Sequence, residues 1–420
     1  MPVHHGRRLR PFRARGVFVI ALLIASLSAG TAAAQAIGAG PPSAVALRTA
    51  ECRAPATERF LISGSVHTCG GALVDSAGHR VRLLSFELLT LYPGQGDIVQ
   101  PCNRGHWTAP PADLAGQIRP WGMNSVQILI SWSNIEPTPP TPLAGGGLRH
   151  HWNTGYLDEL DAVIAAFHAQ HLAVVLSLGQ SRWSGAFNDL RLPNGTVEPC
   201  GLGMPDWLYP RGGSLDQMVR AERRFYAGSD GIQAQFRRVW TMVARRYAHN
   251  PAVVGAEMLF EAPDIIAQPY LGSRVSPKDV DLAGFFERTG RAIHSVAPRL
   301  LLMYQDWLSL RSSVYFAIRR EPQLRNAVYS YEFYGSEWSP KTRSRFERYH
   351  ERAVAWGVPG WIDEFDAFQY GRRSNSSLPG DPNWRRDTLA MLAKAQKERI
   401  GWSFVGVMDD ALASALAQGH

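Results

Sequence analysis

Short apolar runs alternate with longer amphipathic stretches along most of this chain. The runs are nearly continuous in hydrophobicity and rich in Val, Ile and Leu. Such runs are typical of strands in a parallel sheet that is covered on both faces. The predicted strands are Val81–Leu88, Ser125–Ser131, Ala173–Gly179, Val253–Glu261, Leu300–Gln305, Ala327–Tyr334, Gly360–Phe365 and Gly401–Met408.

The stretches between these runs have helical periodicity and end at Gly or Pro stop signals. The predicted helices are Tyr156–His168, Gln233–Tyr247, Asp281–Ser295, Ser344–Trp356 and Thr388–Glu398. Eight strands that alternate with helices favour an α/β fold with a closed (β/α)₈ TIM barrel over an open doubly wound sheet. We expect long loops at residues 89–113, 133–152 and 180–230, on the face where barrel sites form.

The first 36 residues have the pattern of a secretory signal peptide. Five arginines precede the apolar stretch 16–29, and small residues follow it. An uncleaved anchor is the alternative. Residues 37–58, rich in Ala, Gly and Pro, are predicted to be a flexible lead-in, and residues 59–420 a single barrel domain. We therefore expect an exported protein, periplasmic or extracellular, with no transmembrane segment after cleavage.

Charge and motifs exclude several classes of function. The signal contains five of the 44 basic side chains and none of the 36 acidic ones, so the high net charge largely belongs to the segment that is removed. No basic tract remains to favour nucleic acid as a partner. Neither a glycine-rich phosphate loop nor a Gly-x-Ser-x-Gly elbow is present, which disfavours nucleotide binding and serine hydrolysis.

Four cysteines, an even number, lie in the exported part of the chain. An oxidising compartment favours two disulfides, and three pairings are open. We favour Cys52–Cys69, which are close in sequence, and Cys102–Cys200, which lie in two long loops. None of the four has metal-ligand spacing.

Two glutamates at predicted strand ends are the main candidates for chemistry. Glu261 ends the fourth apolar run, and Glu364 lies in the seventh. Carboxylates at the C-terminal ends of parallel barrel strands lie where such folds perform catalysis. An acid/base and a nucleophile are the two carboxyls that glycoside hydrolysis requires. The alternative is that each glutamate is an ordinary exposed residue at a strand end.

The chain resembles glycoside hydrolase family 5, the cellulase-like retaining enzymes. The segment Trp121–Pro137 is similar to the second-strand region of that family, and Asn250–Gly255 is similar to its entry into the fourth strand. The Trp-x-x-Ile-Glu-Pro-Thr-Pro form and Gly203–Trp207 are similar to the endoglycoceramidase-related branch. The resemblance implies that Glu261 is the acid/base, that Glu364 is the nucleophile, and that Tyr334 hydrogen-bonds the nucleophile.

Several neighbouring positions depart from the family pattern. Phe260 replaces an Asn that contacts the sugar 2-hydroxyl, Gln127 replaces an Arg, Gln180 and Glu332 stand in histidine regions, and Phe404 lies where a Trp is usual. The pocket wall beside Glu261 should therefore be apolar, and the site more anionic than is usual. The side chains expected to contact substrate are Trp132, Gln127, Gln180, Phe260, Glu332, Glu87 and Trp183.

The resemblance implies a monomeric, retaining glycosidase that acts on a carbohydrate or glycoconjugate and needs no metal or organic cofactor. Its carboxyls should lie about 5–5.5 Å apart. Glu332 would raise the carboxyl pKa of its neighbours by its negative charge. Two alternatives stay open at this stage. One is a non-catalytic carbohydrate-binding barrel, which the altered neighbours favour, and the other is a transglycosylase that uses the same residues.

Overall fold

The structure is a computed structural model. It describes residues 52–89, 110, 113–179, 183–187, 203–210, 212–262, 280–306, 318–333, 340–366, 384–405, 413–414 and 416. Contacts divide the chain into two units, Met1–Pro42 and Ser43–His420. All that follows concerns the second unit. The predicted signal segment lies outside the described residues.

The predicted closed barrel of eight parallel strands is confirmed. Neighbouring strands follow one another in chain order, and the last strand pairs with the first at Trp402 and Leu84. The barrel strands are β4 (Leu84–Leu88), β5 (Ser125–Ser131), β8 (Ala173–Gly179), β9 (Val253–Phe260), β10 (Leu301–Gln305), β11 (Ala327–Tyr331), β12 (Gly360–Asp366) and β13 (Gly401–Val405).

A small antiparallel sheet precedes the barrel. It consists of β1 (Val66–Cys69), β2 (Ala72–Asp75) and β3 (Arg80–Val81). The predicted strand Val81–Leu88 was therefore wrong at its start, because Val81 pairs with Leu73 of the small sheet and the barrel strand begins at Leu84. A further short hairpin, β6 (Thr141–Pro142) and β7 (Leu148–Arg149), lies beyond β5.

Helices cover the outside of the barrel. They are α1 (Leu114–Ile118), α2 (Trp132–Ile135), α3 (Thr154–Ala169), α4 (Leu215–Ala227), α5 (Ile232–Tyr247), α6 (Leu282–His294), α7 (Pro340–Trp356) and α8 (Trp384–Lys397). Each of the five predicted helices is present. Asn153 caps α3 by accepting a hydrogen bond from the Tyr156 N–H at 3.2 Å.

Helix α4 corrects the prediction that residues 180–230 form one long loop. Ser214 and Gln217 form a capping box at its start, and Gly228 ends it in a left-handed conformation at φ 68°. Its Phe225 packs edge-on against Phe236 of α5. These contacts place α4 in the helical layer, so the third loop is shorter than its sequence indicated.

The barrel interior is layered from its N-terminal to its C-terminal end. The lowest layer is apolar and continuous with the small sheet, since Val66, Leu73 and Val81 pack with Val175 and Met303. The Thr68 N–H also donates to Asn326 Oδ1 at 2.8 Å, directly before β11. Above that layer lie polar side chains of β5, β8, β9, β11 and β12. The sheet thus covers the lower end and leaves the polar layer facing the C-terminal end.

A disulfide joins Cys52 to Cys69 of β1, as predicted. Glu58 forms a bridge with Arg80, and the Arg82 Nε donates to Glu58 Oε1 at 2.6 Å. Residues 52–58 are therefore attached to the domain, earlier than the predicted start at residue 59. Cys102 and Cys200 lie outside the described residues. Among the helices that the structure describes, none is both long and apolar enough to cross a membrane.

Candidate active site

Carboxyl side chains from four strands meet at the C-terminal side of the barrel. They comprise Glu87 of β4, Glu257 of β9, Glu261 directly after β9, Glu332 directly after β11, and Asp363 and Glu364 of β12. The negative charges of Glu261 and Glu364 both act on Glu87 and on Glu332. The two glutamates that the sequence singled out therefore belong to one cluster, as carboxyls on the fourth and seventh strands of a parallel barrel should.

Glu261 holds an unusual backbone conformation. Its φ of 56° lies in the left-handed region, which costs a residue with a Cβ roughly 1–2 kcal/mol. Strand β9 ends at Phe260, so the chain turns away directly at this residue. Strain of this kind is tolerated where the surrounding structure fixes the conformation, and it concentrates at functional sites.

Both strands that carry the candidate pair also shift register beside it. Ile362 and Phe365 of β12 pair with Trp402 and Phe404, so two residues oppose one. A bulge of this type breaks the alternation of a strand and redirects side chains. The side chains of Asp363 and Glu364 can therefore both point into the barrel interior, although the two residues are consecutive in sequence.

A similar shift in β9 affects Phe260. Ser177 and Gly179 of β8 pair with Glu257 and Phe260, so one residue opposes Met258 and Leu259. Met258 and Leu259 both belong to the cluster between barrel and helices, whereas Phe260 packs with Leu129. The shift therefore turns Phe260 inward, next to Glu261, where an amide would have been usual for the family that the sequence resembles.

Glu257 is the centre of a buried hydrogen-bond network below the candidate pair. It accepts bonds from Ser177 Oγ at 2.6 Å, Ser330 Oγ at 2.8 Å and Gln127 Nε2 at 3.0 Å. Its carboxyl also faces Asp363, and the two groups are hydrogen-bonded to each other. The network joins β5, β8, β9, β11 and β12 around one carboxylate.

The pKa values of both acids in this pair are raised, and that of Asp363 is raised further than that of Glu257. Burial, followed by the charge of Glu257 and the hydrogen bond to it, raises the pKa of Asp363 well above its usual range. A hydrogen bond from the Ser330 side chain lowers the pKa of Asp363, by less than these causes raise it. A buried carboxyl that faces a carboxylate is favoured in its protonated form, because it then donates to its neighbour.

Glu87 and Glu332 are further acids with raised pKa values. Burial is the first cause for both, and the negative charge of Glu364 is the second. Glu332 retains some exposed surface, and Gln305 Nε2 donates to its Oε1 at 3.4 Å. Each therefore keeps its proton to a higher pH than an exposed glutamate would.

The remaining predicted site residues occupy different environments. Gln127 is fully buried in the Glu257 network, where its Nε2 donates to Glu257. Trp132 and Trp183 have no exposed surface: the Trp132 Nε1 donates to Glu136, and Trp183 packs against Phe225. The structure gives no support to their prediction as substrate contacts. Tyr334 and Gln180 lie outside the described residues.

Sequence reasoning did not single out Glu257 and Asp363. Each is a carboxyl inside an otherwise apolar strand, and charges are almost never fully buried unless they are paired. That signal was available in the sequence. Their mutual contact was not, because it depends on the register shift in β12. Among the described residues, no group of three or more His, Cys, Asp or Glu side chains has an arrangement that could hold a metal ion.

Comparison with known proteins agrees with this architecture. Residues 94–406 match the family model described as Cellulase (glycosyl hydrolase family 5). The structure of an endogalactoceramidase is similar, with a TM-score of 0.60 and 21% identity over 81% of this chain and 74% of that chain. The structure of endo-glycoceramidase II from Rhodococcus sp., as its lactosyl-enzyme intermediate, is also similar. Its TM-score is 0.58, with 20% identity over 82% of this chain and 80% of that chain.

At these identities the likeness to the solved structures concerns the fold. The resemblance to family 5 that the sequence indicated is confirmed by the family model, and the two endoglycoceramidase structures share the fold. Among curated proteins, none matches the sequence significantly.

Proposed function

Because this chain belongs to the cellulase family, glycosyl hydrolase family 5, we propose that it is an exported glycosidase that cleaves O-glycosidic bonds with retention of configuration. Glu364 is the nucleophile and Glu261 is the acid/base. The observation that carries the proposal is the convergence of these two carboxyls, at the ends of the fourth and seventh barrel strands, on the same buried neighbours.

The reaction proceeds in two displacements. In the first, Glu364 attacks the anomeric carbon while Glu261 donates its proton to the departing oxygen, which gives a glycosyl-enzyme ester and a free aglycone. In the second, Glu261 removes a proton from water, the water oxygen attacks the anomeric carbon, and Glu364 leaves as a carboxylate. Glu261 is thereby protonated again, and the sugar is released with its original configuration.

The charge of the buried acids affects the ionisation that the mechanism requires of Glu364. A nucleophile must be ionised and an acid must be protonated, so their neighbours have to favour opposite states. The Asp363 proton is donated to Glu257 in our assignment, so that pair has one negative charge instead of two. The lower charge beneath Glu364 makes its own ionisation less costly. Asp363 and Glu257 are therefore positioning residues for the reaction.

The substrate class is a glycan or a glycoconjugate. Two of the similar structures are of ceramide-glycan hydrolases, and this makes glycosphingolipids a class to be tested. A carbohydrate-binding barrel without catalysis is the second candidate. Phe260 favours it, because an apolar side chain 3% exposed replaces a polar contact beside Glu261. A transglycosylase would differ only in using a sugar hydroxyl in place of water.

The test is hydrolysis of a panel of aryl glycosides, oligosaccharides and glycosphingolipids by the wild type, Glu364→Gln and Glu261→Gln. We expect Glu364→Gln to lower kcat/KM by on the order of 10⁴-fold or more on every substrate that is cleaved. Glu261→Gln should cost about 10²- to 10⁴-fold with poor leaving groups and far less with aryl leaving groups, which need no proton.

Azide separates the two roles. It attacks the glycosyl-enzyme without base help, so it should restore turnover of aryl glycosides by Glu261→Gln and leave Glu364→Gln inactive. Sugar products appended to a second glycan would identify a transglycosylase. Equal glycan binding by the wild type and both variants, without any product, would instead identify a binding barrel.

A further inference from the structure

The acid cluster exceeds what a two-carboxylate mechanism requires. Beyond Glu261 and Glu364, it contains the Glu257–Asp363 pair, Glu87 and Glu332. The four charges with the largest effect on the pKa of Glu87 are all carboxylates, and the same is true of Glu332. Both side chains therefore face other acids at the C-terminal end of the barrel.

Glu87 is an orphaned carboxyl inside this cluster. It is 2% exposed, and neither of its oxygens has a hydrogen-bond partner within the described structure. The neighbouring strand residue Gln127 does not donate a hydrogen bond to Glu87, since its Nε2 donates to Glu257. Buried polar groups are almost always hydrogen-bonded, and an exception indicates a missing ligand or a functional role.

The direction of Glu87 follows from the register. Glu87 pairs with Gln127 in the parallel ladder, and Gln127 reaches Glu257 in the barrel interior. The charges of Glu364, Glu257, Asp363 and Glu261 act on Glu87. Its carboxyl therefore lies inside the barrel, beside the candidate nucleophile.

Two arginines of α7 contact groups outside the acid cluster. Arg352 donates to Asp306 at 3.0 Å and stacks on Trp356, and Arg345 lies over the ring of Phe333 at 5.6 Å. On the second barrel strand, the position beside the acids holds the neutral Gln127. Within the described structure the oxygens of Glu87 have no hydrogen-bond partner, so they can accept from a cation that a ligand supplies. Glu332 accepts one bond of 3.4 Å from Gln305, and a carboxylate has capacity for more.

We propose that this site takes a glycan of free amino sugars, whose ammonium group binds to Glu87 and Glu332 beside Glu364. An ammonium has three donors and no acceptor, which matches carboxyl oxygens that lack donors. It also brings a positive charge into a cluster of acids, and charge-assisted hydrogen bonds are about twice as strong as neutral ones. The inference rests on the proposed glycosidase function and narrows its substrate class.

Binding of such a sugar must displace protons. Glu87 and Glu332 hold their protons in the free protein, because burial and their acidic neighbours favour the neutral form. An adjacent ammonium stabilises the ionised form, so the complex releases protons to the buffer. A neutral sugar of the same size would release none by this route. Calorimetry in buffers of different ionisation enthalpy measures the number released.

The experiment compares a glucosamine oligosaccharide with its fully N-acetylated counterpart, which has the same backbone without the charge. We expect the wild type to hydrolyse the amine form with at least about 10-fold higher kcat/KM, since a hydrogen bond to a charged group is worth about 10- to 100-fold in affinity. Glu364→Gln, which cannot turn the oligosaccharide over, should bind the amine form with proton release.

In that background, Glu87→Gln and Glu332→Gln should each weaken binding of the amine form by about 10- to 100-fold and reduce proton release. Binding of the N-acetylated form should change little. Asp158→Asn is the matched control, because Asp158 is 74% exposed and pairs with Arg246 on the outside of the barrel. Glu332 keeps some exposed surface, so its variant remains informative if Glu87→Gln does not fold.

The two proposals fail in distinguishable ways. Equal or faster cleavage of neutral glycans or glycolipids, with no effect of Glu87→Gln or Glu332→Gln on the preference, overturns amine recognition and leaves the glycosidase intact. Binding of the amine oligosaccharide with proton release, without any product, supports amine recognition and removes the glycosidase. Binding that neither variant weakens overturns the inference.

Discussion

At the scale of single residues, Glu261 combines a functional side chain with an unfavourable backbone. A Gly at the same position would adopt φ 56° without a steric penalty, whereas any residue with a Cβ would still incur that penalty. The chain therefore tolerates a local cost in order to keep a carboxylate where β9 ends. This conformation cannot be inferred from sequence, because glutamate is not a residue that favours the left-handed region.

A stability comparison tests that cost. Glu261→Ala and Glu261→Gly both remove the carboxylate and its contacts, so they differ mainly in the backbone term. We expect Glu261→Gly to unfold with a free energy about 1 kcal/mol higher than Glu261→Ala. This reverses the order normally found in helices and strands. Urea unfolding of the two variants measures it, and a more stable alanine variant would mean that the left-handed conformation is not held in solution.

At the scale of elements, the site depends on irregular strands rather than on ideal ones. The shift in β12 directs both Asp363 and Glu364 to the interior, and the shift in β9 turns Phe260 inward. A regular strand with period two would place consecutive residues on opposite faces. Sequence analysis located the strands but not these shifts, so the contact between Asp363 and Glu257 beneath the nucleophile could not be predicted.

The Glu257–Asp363 pair predicts how stability depends on pH. Asp363 has a raised pKa in the folded protein and a pKa of about 3.9 in the unfolded chain. Above about pH 4 the folded state therefore binds more protons than the unfolded state does. Its contribution to the free energy of unfolding is full below that pH and is lost through the raised pKa. Glu87 and Glu332 act with the same sign.

Asp363→Asn keeps a donor towards Glu257 and removes one titrating group. We expect the variant to lose less stability with rising pH than the wild type, by up to about 1.4 kcal/mol per pH unit in the window where Asp363 titrates. Urea unfolding from pH 4 to pH 9 measures both slopes. Parallel slopes for the wild type and Asp363→Asn would contradict the shared proton. Asp158→Asn, on the exposed surface, provides the control.

The elements were predictable to different degrees for physical reasons. Buried parallel strands are continuous apolar runs, so all eight barrel strands could be located. Helix α4 was missed although Ser214 and Gln217 form a capping box that the sequence displays, because Gly- and Pro-rich segments precede it. Val81 was joined to β4 because two separate sheets meet there within one apolar stretch.

At the scale of the whole molecule, the barrel domain extends to the disulfide at Cys52. That bond fixes the segment before β1 to the small sheet under the barrel. Disulfides form and persist mainly in oxidising compartments, and we propose that a secretory signal in the first 36 residues delivers the chain to one.

Export and disulfide formation give one measurable expectation. The mature protein should begin between Gln35 and Ile37 and should contain no free thiol. Replacing Cys52 and Cys69 together by Ser should lower the free energy of unfolding by about 3 kcal/mol, because their separation is 17 residues. Intact mass spectrometry without reductant tests the first part. Four alkylatable cysteines in the secreted protein would contradict it.

The small sheet beneath the barrel has a kinetic consequence. Within the described structure its apolar residues fill the lower end and helices surround the sides, which leaves the C-terminal end as the route between the acid cluster and bulk water. Sugar, water and protons then share that route. A glycan that occupies it would isolate the cluster from the external solution. The number of protons in the site would be set at the moment of binding and conserved until the aglycone departs with the proton from Glu261.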